Sequence, residues 1–296
     1  MDVLPETTVA EAMSTLLPSL GQDMQSNLNI EATKEAYTTM VREAQVQQYK
    51  IVVVELINHL NASGINTVAI EGSTSAFLEK IRLMQTTAHR AWAAEDGKPS
   101  KSQKTVCEVG FNAGHSALLW LLTGATRVIS FELGHHKYSH VAAQWISARF
   151  PGKLHLVMGD SSQTVPTFHT MFPHEKCDIV LVDGGHYFEP AWNDLVHFKE
   201  LVDLGSCSGS GANNDGHVLL VDDTEMSEVG AAWAQAQAEG LVVEDGRVVS
   251  EFAEINDSPF TANLSWNGKL FVESPEAIVH SWTSSMAFGR YLPSVR

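Results

Sequence analysis

The chain has 296 residues, of which 44% are hydrophobic and 18% charged, so it can bury a sizeable core and wholesale disorder is excluded. The 19 basic residues against 35 acidic ones give a formal net charge of −16. So acidic a chain repels phosphate backbones, and we therefore expect no nucleic-acid partner.

The sequence also predicts the compartment. No apolar run approaches the roughly 20 residues needed to cross a bilayer, so we expect no membrane partner. The acidic amino-terminal segment lacks the pattern of a signal peptide. Cys107, Cys177 and Cys207 are odd in number, scattered and without zinc-ligand spacing, which favours free thiols in a reducing, cytoplasmic compartment.

The first hundred residues are predicted to be mostly helical. Residues 31–59 carry apolar side chains at three- and four-residue intervals without Pro or Gly, which predicts a long amphipathic helix that breaks at 61–64. Residues 73–92 form a second helical candidate, and 95–102 are polar with Gly and Pro. The pattern predicts a helical cap over residues 1–100 and a main domain over 101–296.

Short apolar runs alternate with helical windows after residue 104. This alternation predicts an α/β fold with a doubly wound, Rossmann-like parallel sheet covered on both faces. We predict five strands buried on both faces, followed by two strands that could close the sheet with an antiparallel edge. The strands are predicted at 105–109, 127–131, 154–158, 178–182, 217–221, 241–249 and 269–272, and the helices at 116–122, 136–150, 162–171, 188–204 and 227–239. Residues 206–215 are predicted to form a surface loop.

The first strand ends in a glycine-containing turn. From Glu108 to Ser116 the sequence is EVGFNAGHS, in which Gly110 allows a tight turn and Gly114 lets a helix begin close to a ligand. Asn112 takes the middle position, so the pattern is not the G-x-G-x-x-G of a pyrophosphate-binding loop. The segment is therefore either a ligand loop or an ordinary turn.

Acidic residues follow the second and third strands. Glu132 ends the second strand at about the spacing at which a carboxylate meets a ribose, and a carboxylate can accept both hydroxyl protons. Asp160 follows the third strand, where it could accept from an adenine amino group or cap the next helix. We expect Glu132 to bind a ribose, and both roles stay open for Asp160.

Three carboxylates follow the fourth and fifth strands. Asp183 ends the fourth strand, and Asp222 and Asp223 end the fifth. Gathered at one sheet edge, they would repel one another and raise at least one pKa, and a hard cation such as Mg²⁺ would relieve the repulsion. Alternatively, Asp222 caps a turn, Asp223 is solvated and Asp183 alone matters.

Taken in order, these segments resemble one family. EVGFNAGHSALLWL, FELG, GDSS, CDIVLVDGGHYFEPAWNDL and GHVLLVDDTE, within about residues 106–239, resemble the motif series of class I S-adenosylmethionine-dependent methyltransferases. The chain looks closest to the catechol and caffeoyl-CoA O-methyltransferase-like branch. The resemblance implies a seven-stranded Rossmann-like sheet with S-adenosylmethionine as the cofactor.

The resemblance also implies roles for the strand-end residues. Glu108 and Gly110 would lie against the methionine and sugar, Glu132 would hold the ribose, and Asp160 and Ser161 would flank the adenine. Asn112, Gly114, Ser116 and Asp183 are the other candidate cofactor contacts. The branch's metal ligands fall on Asp183, Asp222 and Asp223, and Asp223 stands where the branch usually has Asn.

His186 stands three residues after Asp183, where the metal-dependent branch commonly has a lysine. A neutral imidazole can take a proton near pH 7 without first being desolvated. We therefore predict His186 as the general base and Asp183 as a second catalytic residue. The alternative is that His186 only orients Asp183 or caps a turn.

We expect an enzyme that methylates a small-molecule acceptor, on oxygen, with or without Mg²⁺ or another divalent cation. Three other interpretations stay open: transfer to nitrogen or carbon, an NAD-dependent oxidoreductase, and a binding protein without catalysis. The helical cap carries no chemical motif. We expect it to supply a lid, and an additional role as a homodimer contact stays open.

Overall fold

The computed structural model describes residues 30–67, 70, 77–92, 103–204, 217–253 and 281–293. Two helices, α1 (Ile30–Ala62) and α2 (Leu78–Trp92), precede the sheet. The break predicted at 61–64 is confirmed, because α1 ends at Ala62 and Gly64 takes a positive φ of 78°. Among these residues, no helix combines the length and the hydropathy that crossing a bilayer would require.

Strands and helices alternate from Thr105 onward, as the sequence predicts. The elements are β1 (Thr105–Val109), α3 (His115–Thr123), β2 (Arg127–Glu132), α4 (Lys137–Arg149), β3 (Leu154–Met158), α5 (Ser161–Met171), β4 (Ile179–Val182), α6 (Phe188–Phe198), β5 (Val218–Val221), α7 (Ser227–Ala238), β6 (Val242–Ala253) and β7 (Ser281–Tyr291). A 3₁₀ turn, Lys199–Leu201, extends α6.

The seven strands lie in the order β3-β2-β1-β4-β5-β7-β6. Strands β1 to β5 are parallel, and β7 runs antiparallel to both of its neighbours. The predicted doubly wound sheet with an antiparallel edge is therefore confirmed. The chain changes winding direction between β1 and β4, and ligands of such sheets bind outside the carboxyl ends of the strands at this point.

Two details of the predicted sheet differ. β3 is only half-buried, so the expectation that it is buried on both faces is wrong, because it is an edge strand with β2 as its sheet neighbour. The last strand is β7 at Ser281–Tyr291, which the sequence pattern did not indicate. The predicted strand at 269–272, the boundary at 95–102 and the loop at 206–215 lie outside the described residues.

Helices cover both faces of the sheet, as its apolar strands require. On one face α1 and α2 share a core with α3, in which Tyr49, Leu56, Met84, Leu118 and Trp120 are buried together. On the other face α5, α6 and α7 pack through residues that include Phe168, Phe198 and Trp233. The amino-terminal helices therefore pack directly against the layer that carries the first strand-end turn, while the division at residue 100 stays a prediction.

A disulfide joins Cys107 to Cys177, whose Cα atoms are 5.8 Å apart. Cys107 lies within β1 and Cys177 lies two residues before the start of β4, and these strands are neighbours in the sheet. The expectation of free thiols is wrong for this pair, because cysteines 70 positions apart in sequence meet across adjacent strands. These two residues therefore give no support to a reducing compartment.

Candidate functional site

The glycine turn after β1 lies directly against the end of β4. Gly110 has a φ of 92°, and a Cβ there would stand 1.8 Å from the carbonyl oxygen of Asp183. Gly114 has a φ of 77°, and its Cβ would stand 2.6 Å from Cδ1 of Ile146. Glycine is therefore required at both positions, and Asn112 between them also adopts a left-handed conformation, with a φ of 51°.

Glu132 is oriented by the backbone of this turn. Its Oε2 accepts a hydrogen bond from the Asn112 amide at 2.8 Å, and its Oε1 accepts one from the Gly134 amide at 3.0 Å. A carboxylate offers about four acceptor positions, so a second pair is available to a diol. The side chain is 6% exposed at the carboxyl end of β2, where the predicted ribose contact requires it.

Glu108 lies deeper than the other predicted cofactor residues. It is completely buried on the α1 and α3 side of β1, and its Oε1 accepts a hydrogen bond from Ser130 at 2.7 Å. Burial raises the pKa of Glu108 to about 7, although hydrogen bonds from Ser130, Ser116 and Trp120 oppose the rise. Its predicted role at the methionine of the cofactor, like that of the buried Ser116, stays a prediction.

Asp160 has the capping geometry that the sequence left open. It is the N-cap of α5, and its Oδ1 accepts a hydrogen bond from the Ser162 amide at 2.9 Å. Hydrogen bonding to Ser162 lowers the pKa of this exposed carboxyl. Ser161 begins α5 at the same sheet edge. A second role for Asp160 and Ser161 at the adenine is compatible with this placement and stays a prediction.

The carboxylates after β4 and β5 gather around a lysine that the sequence analysis missed. Lys80 of α2 is 2% exposed, and its Nζ lies 2.5 Å from Asp222 Oδ1 and 3.4 Å from Asp223 Oδ1. The alternative of a solvated Asp223 is wrong, because this carboxylate is largely buried and pairs with the ammonium. Asp222 does accept a hydrogen bond from the Asp223 amide at 2.9 Å, as the turn-capping alternative expects, but it is buried and also pairs with Lys80.

His186 completes the cluster from the loop after β4. Its Nε2 lies 3.3 Å from Asp223 Oδ2, and its side chain is 44% exposed. One ligand atom each from Asp183, His186 and Asp223 lies within 4.8 Å of the others. The structure therefore brings together the predicted base and its neighbouring carboxylates, with the imidazole partly exposed to solvent.

Burial and mutual repulsion shift the pKa values of this cluster. Burial, and then repulsion by Asp222 and Asp223, raise the pKa of Asp183 well above its ordinary range. Burial raises the pKa of Asp222 to about 6, although the Lys80 ammonium opposes the rise. Burial alone would lower the pKa of Lys80, but the Asp222 and Asp223 carboxylates outweigh burial and raise it, so the ammonium stays charged.

The predicted ligand set does not fit a divalent cation. Mg²⁺ needs oxygen ligands that are free to coordinate it, with room for the water molecules that complete its octahedral shell. Lys80 Nζ lies against both Asp222 and Asp223, and Ser284 Oγ donates to Asp223 Oδ1 at 2.9 Å. Asp183, His186 and Asp223 are close enough to share an ion, but a cation on Asp223 would lie beside the Lys80 ammonium.

A surface groove lies apart from these strand ends. It has a volume of about 520 Å³ between β3 and α5, and Arg127, His155 and Phe172 are among the residues that line it. No predicted site residue lines it. The groove therefore adds nothing to the chemistry at the carboxyl edge.

Residues 107–208 match the family model described as a methyltransferase domain. The matched segment spans about a third of the chain, begins within β1 and continues past β4, and it contains Glu108, Glu132, Asp183 and His186. The match supports the enzyme class that the motifs predict, an S-adenosylmethionine-dependent methyltransferase. The catechol and caffeoyl-CoA-like branch is a finer assignment than the match gives.

Solved structures with a similar fold include three that span most of their own length. An O-methyltransferase from Bacillus cereus, in complex with SAH, is 11% identical with a TM-score of 0.47, over 83% of this chain and 91% of that one. Precorrin 8W decarboxylase from Methanobacterium thermoautotrophicum is 12% identical with a TM-score of 0.47, over 75% and 94%. Precorrin-6y C5,15-methyltransferase from Geobacter metallireducens is 8% identical with a TM-score of 0.46, over 75% and 94%. No curated protein matches the chain.

Lys80 is the main site residue that sequence reasoning did not find. It lies in a helix without a chemical motif, 143 positions before Asp223. A lysine in the sequence EKIRLMQ is expected to be solvated, because charged residues are rarely buried unless they are paired. Its partners become visible only when α2 packs against the end of β5, and no local signal indicates that contact.

Proposed function

We propose that this protein is an S-adenosylmethionine-dependent O-methyltransferase for a small-molecule hydroxyl, similar to the catechol and caffeoyl-CoA-like branch. One arrangement carries the proposal. Glu132 lies at the end of β2 with its carboxylate fixed by backbone amides, and the His186–Asp223 pair lies across the glycine turn at the ends of β4 and β5. A cofactor position and a proton acceptor thus share one edge of the sheet.

The residues at the β1 and β2 ends fit the adenosyl group of the cofactor. Glu132 keeps acceptor positions for the two ribose hydroxyls, and Gly110 lets the turn after β1 lie directly against the Asp183 carbonyl at the end of β4. The acidic residues of this edge suit a cationic ligand. When bound, S-adenosylmethionine supplies an electrophilic methyl group on a sulfonium.

His186 removes the proton of the acceptor hydroxyl. Its Nε2 lies 3.3 Å from Asp223 Oδ2, and in the proposed mechanism this nitrogen carries the hydrogen toward the carboxylate while Nδ1 takes the proton. Asp223 holds the imidazole in that tautomer and stabilises the imidazolium that forms, the role of the carboxylate in other His–Asp pairs. Asp183, within reach of both, helps to orient the hydroxyl at the end of β4.

The exposed base favours oxygen as the acceptor atom. A hydroxyl must lose its proton as it is methylated, whereas a neutral amine can attack with its lone pair and lose the proton afterwards. A partly open imidazole with its carboxylate partner therefore has a direct task in O-methylation. Transfer to nitrogen or carbon is the alternative, and a panel of phenols, catechols and amines of matched size, scored by mass spectrometry, separates these classes.

Isothermal titration calorimetry tests the cofactor assignment. We expect S-adenosylmethionine to bind and NAD not to bind, and Glu132→Ala to weaken the first affinity by about 10- to 100-fold, because charge-assisted hydrogen bonds are lost. Glu200→Ala, at an exposed carboxylate in the 3₁₀ turn after α6, is the matched control. An unchanged dissociation constant for Glu132→Ala would remove the ribose assignment, and NAD binding would favour an oxidoreductase.

A further inference from the structure

Lys80 enters the acidic cluster from outside the strand-end motifs. α2 carries it to the end of β5, where the ammonium lies 2.5 Å from Asp222 Oδ1 and 3.4 Å from Asp223 Oδ1. Its side chain is buried, and the Phe77 ring lies below the ammonium with its centroid at 4.9 Å. A buried charge this close to two carboxylates is a fixed part of the site rather than a solvated lysine.

The ammonium holds the two carboxylates in one arrangement. Asp223 Oδ1 accepts hydrogen bonds from Lys80 and Ser284, while Oδ2 faces His186. Asp222 Oδ1 accepts from Lys80 and from the Asp223 amide at 2.9 Å. Asp223 adopts a left-handed φ of 53°, an uncommon conformation for a residue with a side chain, and these contacts hold it there.

We propose that Lys80 is the resident cation of the acceptor side of this site and takes the place of a divalent metal ion. It is a positioning residue: it neutralises Asp222 and Asp223, so that Asp223 stays turned toward His186 without a bound metal. In this proposal Asp183, Asp222 and Asp223 are not metal ligands, and the positive charge that a metal ion would supply comes from Lys80. The part that concerns methyl transfer rests on the proposed function, whereas the part that concerns cation binding does not.

Electron paramagnetic resonance of Mn²⁺ tests the occupancy directly, because it needs neither cofactor nor acceptor. We expect the wild-type protein not to bind Mn²⁺ at micromolar concentrations. Lys80→Met leaves three carboxylates and His186 without the ammonium, and we expect it to bind Mn²⁺ at least about 10-fold more tightly than wild type, since a unit charge within 4 Å is removed. Lys176→Met, at an exposed lysine bonded to the Glu200 carbonyl, should behave as wild type.

Two results would overturn the proposal. One is micromolar binding of Mn²⁺ by the wild-type protein that is lost in Asp223→Asn, because the cation site would then be open to metal with Lys80 present. The other is a folded Lys80→Met protein, checked by circular dichroism, that gains no Mn²⁺ affinity. If Lys80→Met does not fold, Lys80→Gln is measured in the same way, and the wild-type titration decides alone if neither folds.

Activity in a chelator gives the second readout. Once the panel has identified a hydroxyl substrate, we expect wild-type turnover to be unchanged in EDTA, and Lys80→Arg to restore most of the turnover that Lys80→Met loses. Loss of wild-type turnover in EDTA with recovery on added Mg²⁺ contradicts the resident cation while the proposed function stands. Absence of S-adenosylmethionine binding contradicts the proposed function and leaves the Mn²⁺ result to decide on Lys80.

Discussion

The two halves of the carboxyl edge are organised by different forces. In the cofactor half, at the ends of β1 to β3, backbone amides hold the acidic side chains: Asn112 and Gly134 donate to Glu132, and Ser162 donates to Asp160. In the acceptor half, at the ends of β4 and β5, side-chain charges hold one another, with Lys80 between Asp222 and Asp223. One half is held by backbone amides of the strand-end turns and the other by a side chain of α2.

This difference separates what each half can tolerate. A carboxylate held by backbone amides keeps its orientation as long as the turn keeps its conformation. A carboxylate held by an ammonium that is far away in the sequence depends on how α2 packs. The acceptor half can therefore change with the amino-terminal helices while the cofactor half stays the same. Cofactor binding and proton removal should therefore be separable by mutation.

The largest separation is expected at His186. His186→Ala removes the proposed base and should lower kcat by about 100- to 10,000-fold, while the dissociation constant of S-adenosylmethionine stays within about twofold. Steady-state kinetics and calorimetry measure the two quantities. His169→Ala, at another histidine near a carboxylate but on α5, is the control and should leave both unchanged. Equal losses of kcat and cofactor affinity would show that the halves are not independent.

The next effect is expected where the two halves touch. Gly110→Ala would place a Cβ on the Asp183 carbonyl oxygen and should lower the free energy of unfolding by more than about 3 kcal/mol. Gly124 also has a positive φ, 110°, but a Cβ there would meet nothing within 4 Å, so Gly124→Ala should cost only about 1 to 2 kcal/mol. Urea denaturation compares them. Equal losses would mean that the turn moves away from β4 without penalty.

The same division explains how far the sequence could predict the molecule. The apolar runs predict β1 to β5 within a residue or two, since strands buried in a parallel sheet are continuous and hydrophobic. The strand-end positions of Glu132, Asp183, Asp222 and Asp223 follow from these runs. No local signal indicated Lys80, because a lysine in a helix is expected to be solvated unless carboxylates from elsewhere in the sequence are known to contact it. The Cys107–Cys177 pair escaped for the same reason, since its partners meet only when β1 and β4 pair.

The disulfide ties the cofactor half to the acceptor half, because Cys107 belongs to β1 and Cys177 precedes β4. Replacing both by Ala should lower the free energy of unfolding by about 2 to 4 kcal/mol, chiefly because the unfolded chain gains freedom. Dithiothreitol should destabilise the wild-type protein by a similar amount. Cys207→Ala is the control for replacing a cysteine by alanine. A wild-type protein with the same stability in oxidised and reduced form would show that the bond contributes nothing.

The smallest effect is expected at Glu108, the one buried carboxyl of the cofactor half that lies away from the open edge. Burial raises its pKa to about 7, from about 4.3 in an unfolded chain. Between these pH values the folded protein keeps a proton that the unfolded chain has released, so stability falls as the pH rises and is constant above about pH 7.

Glu108→Gln keeps a neutral side chain in both states and removes this loss. Relative to wild type, the variant should gain up to about 3 kcal/mol between pH 4 and pH 8. Glu239→Gln, at an exposed helix end, should show no such gain. Urea denaturation across this pH range measures the difference. A stability difference between Glu108→Gln and wild type that does not change with pH would mean that the Glu108 carboxylate is charged in the folded protein. The cofactor half would then contain a buried charged carboxylate, as the acceptor half does.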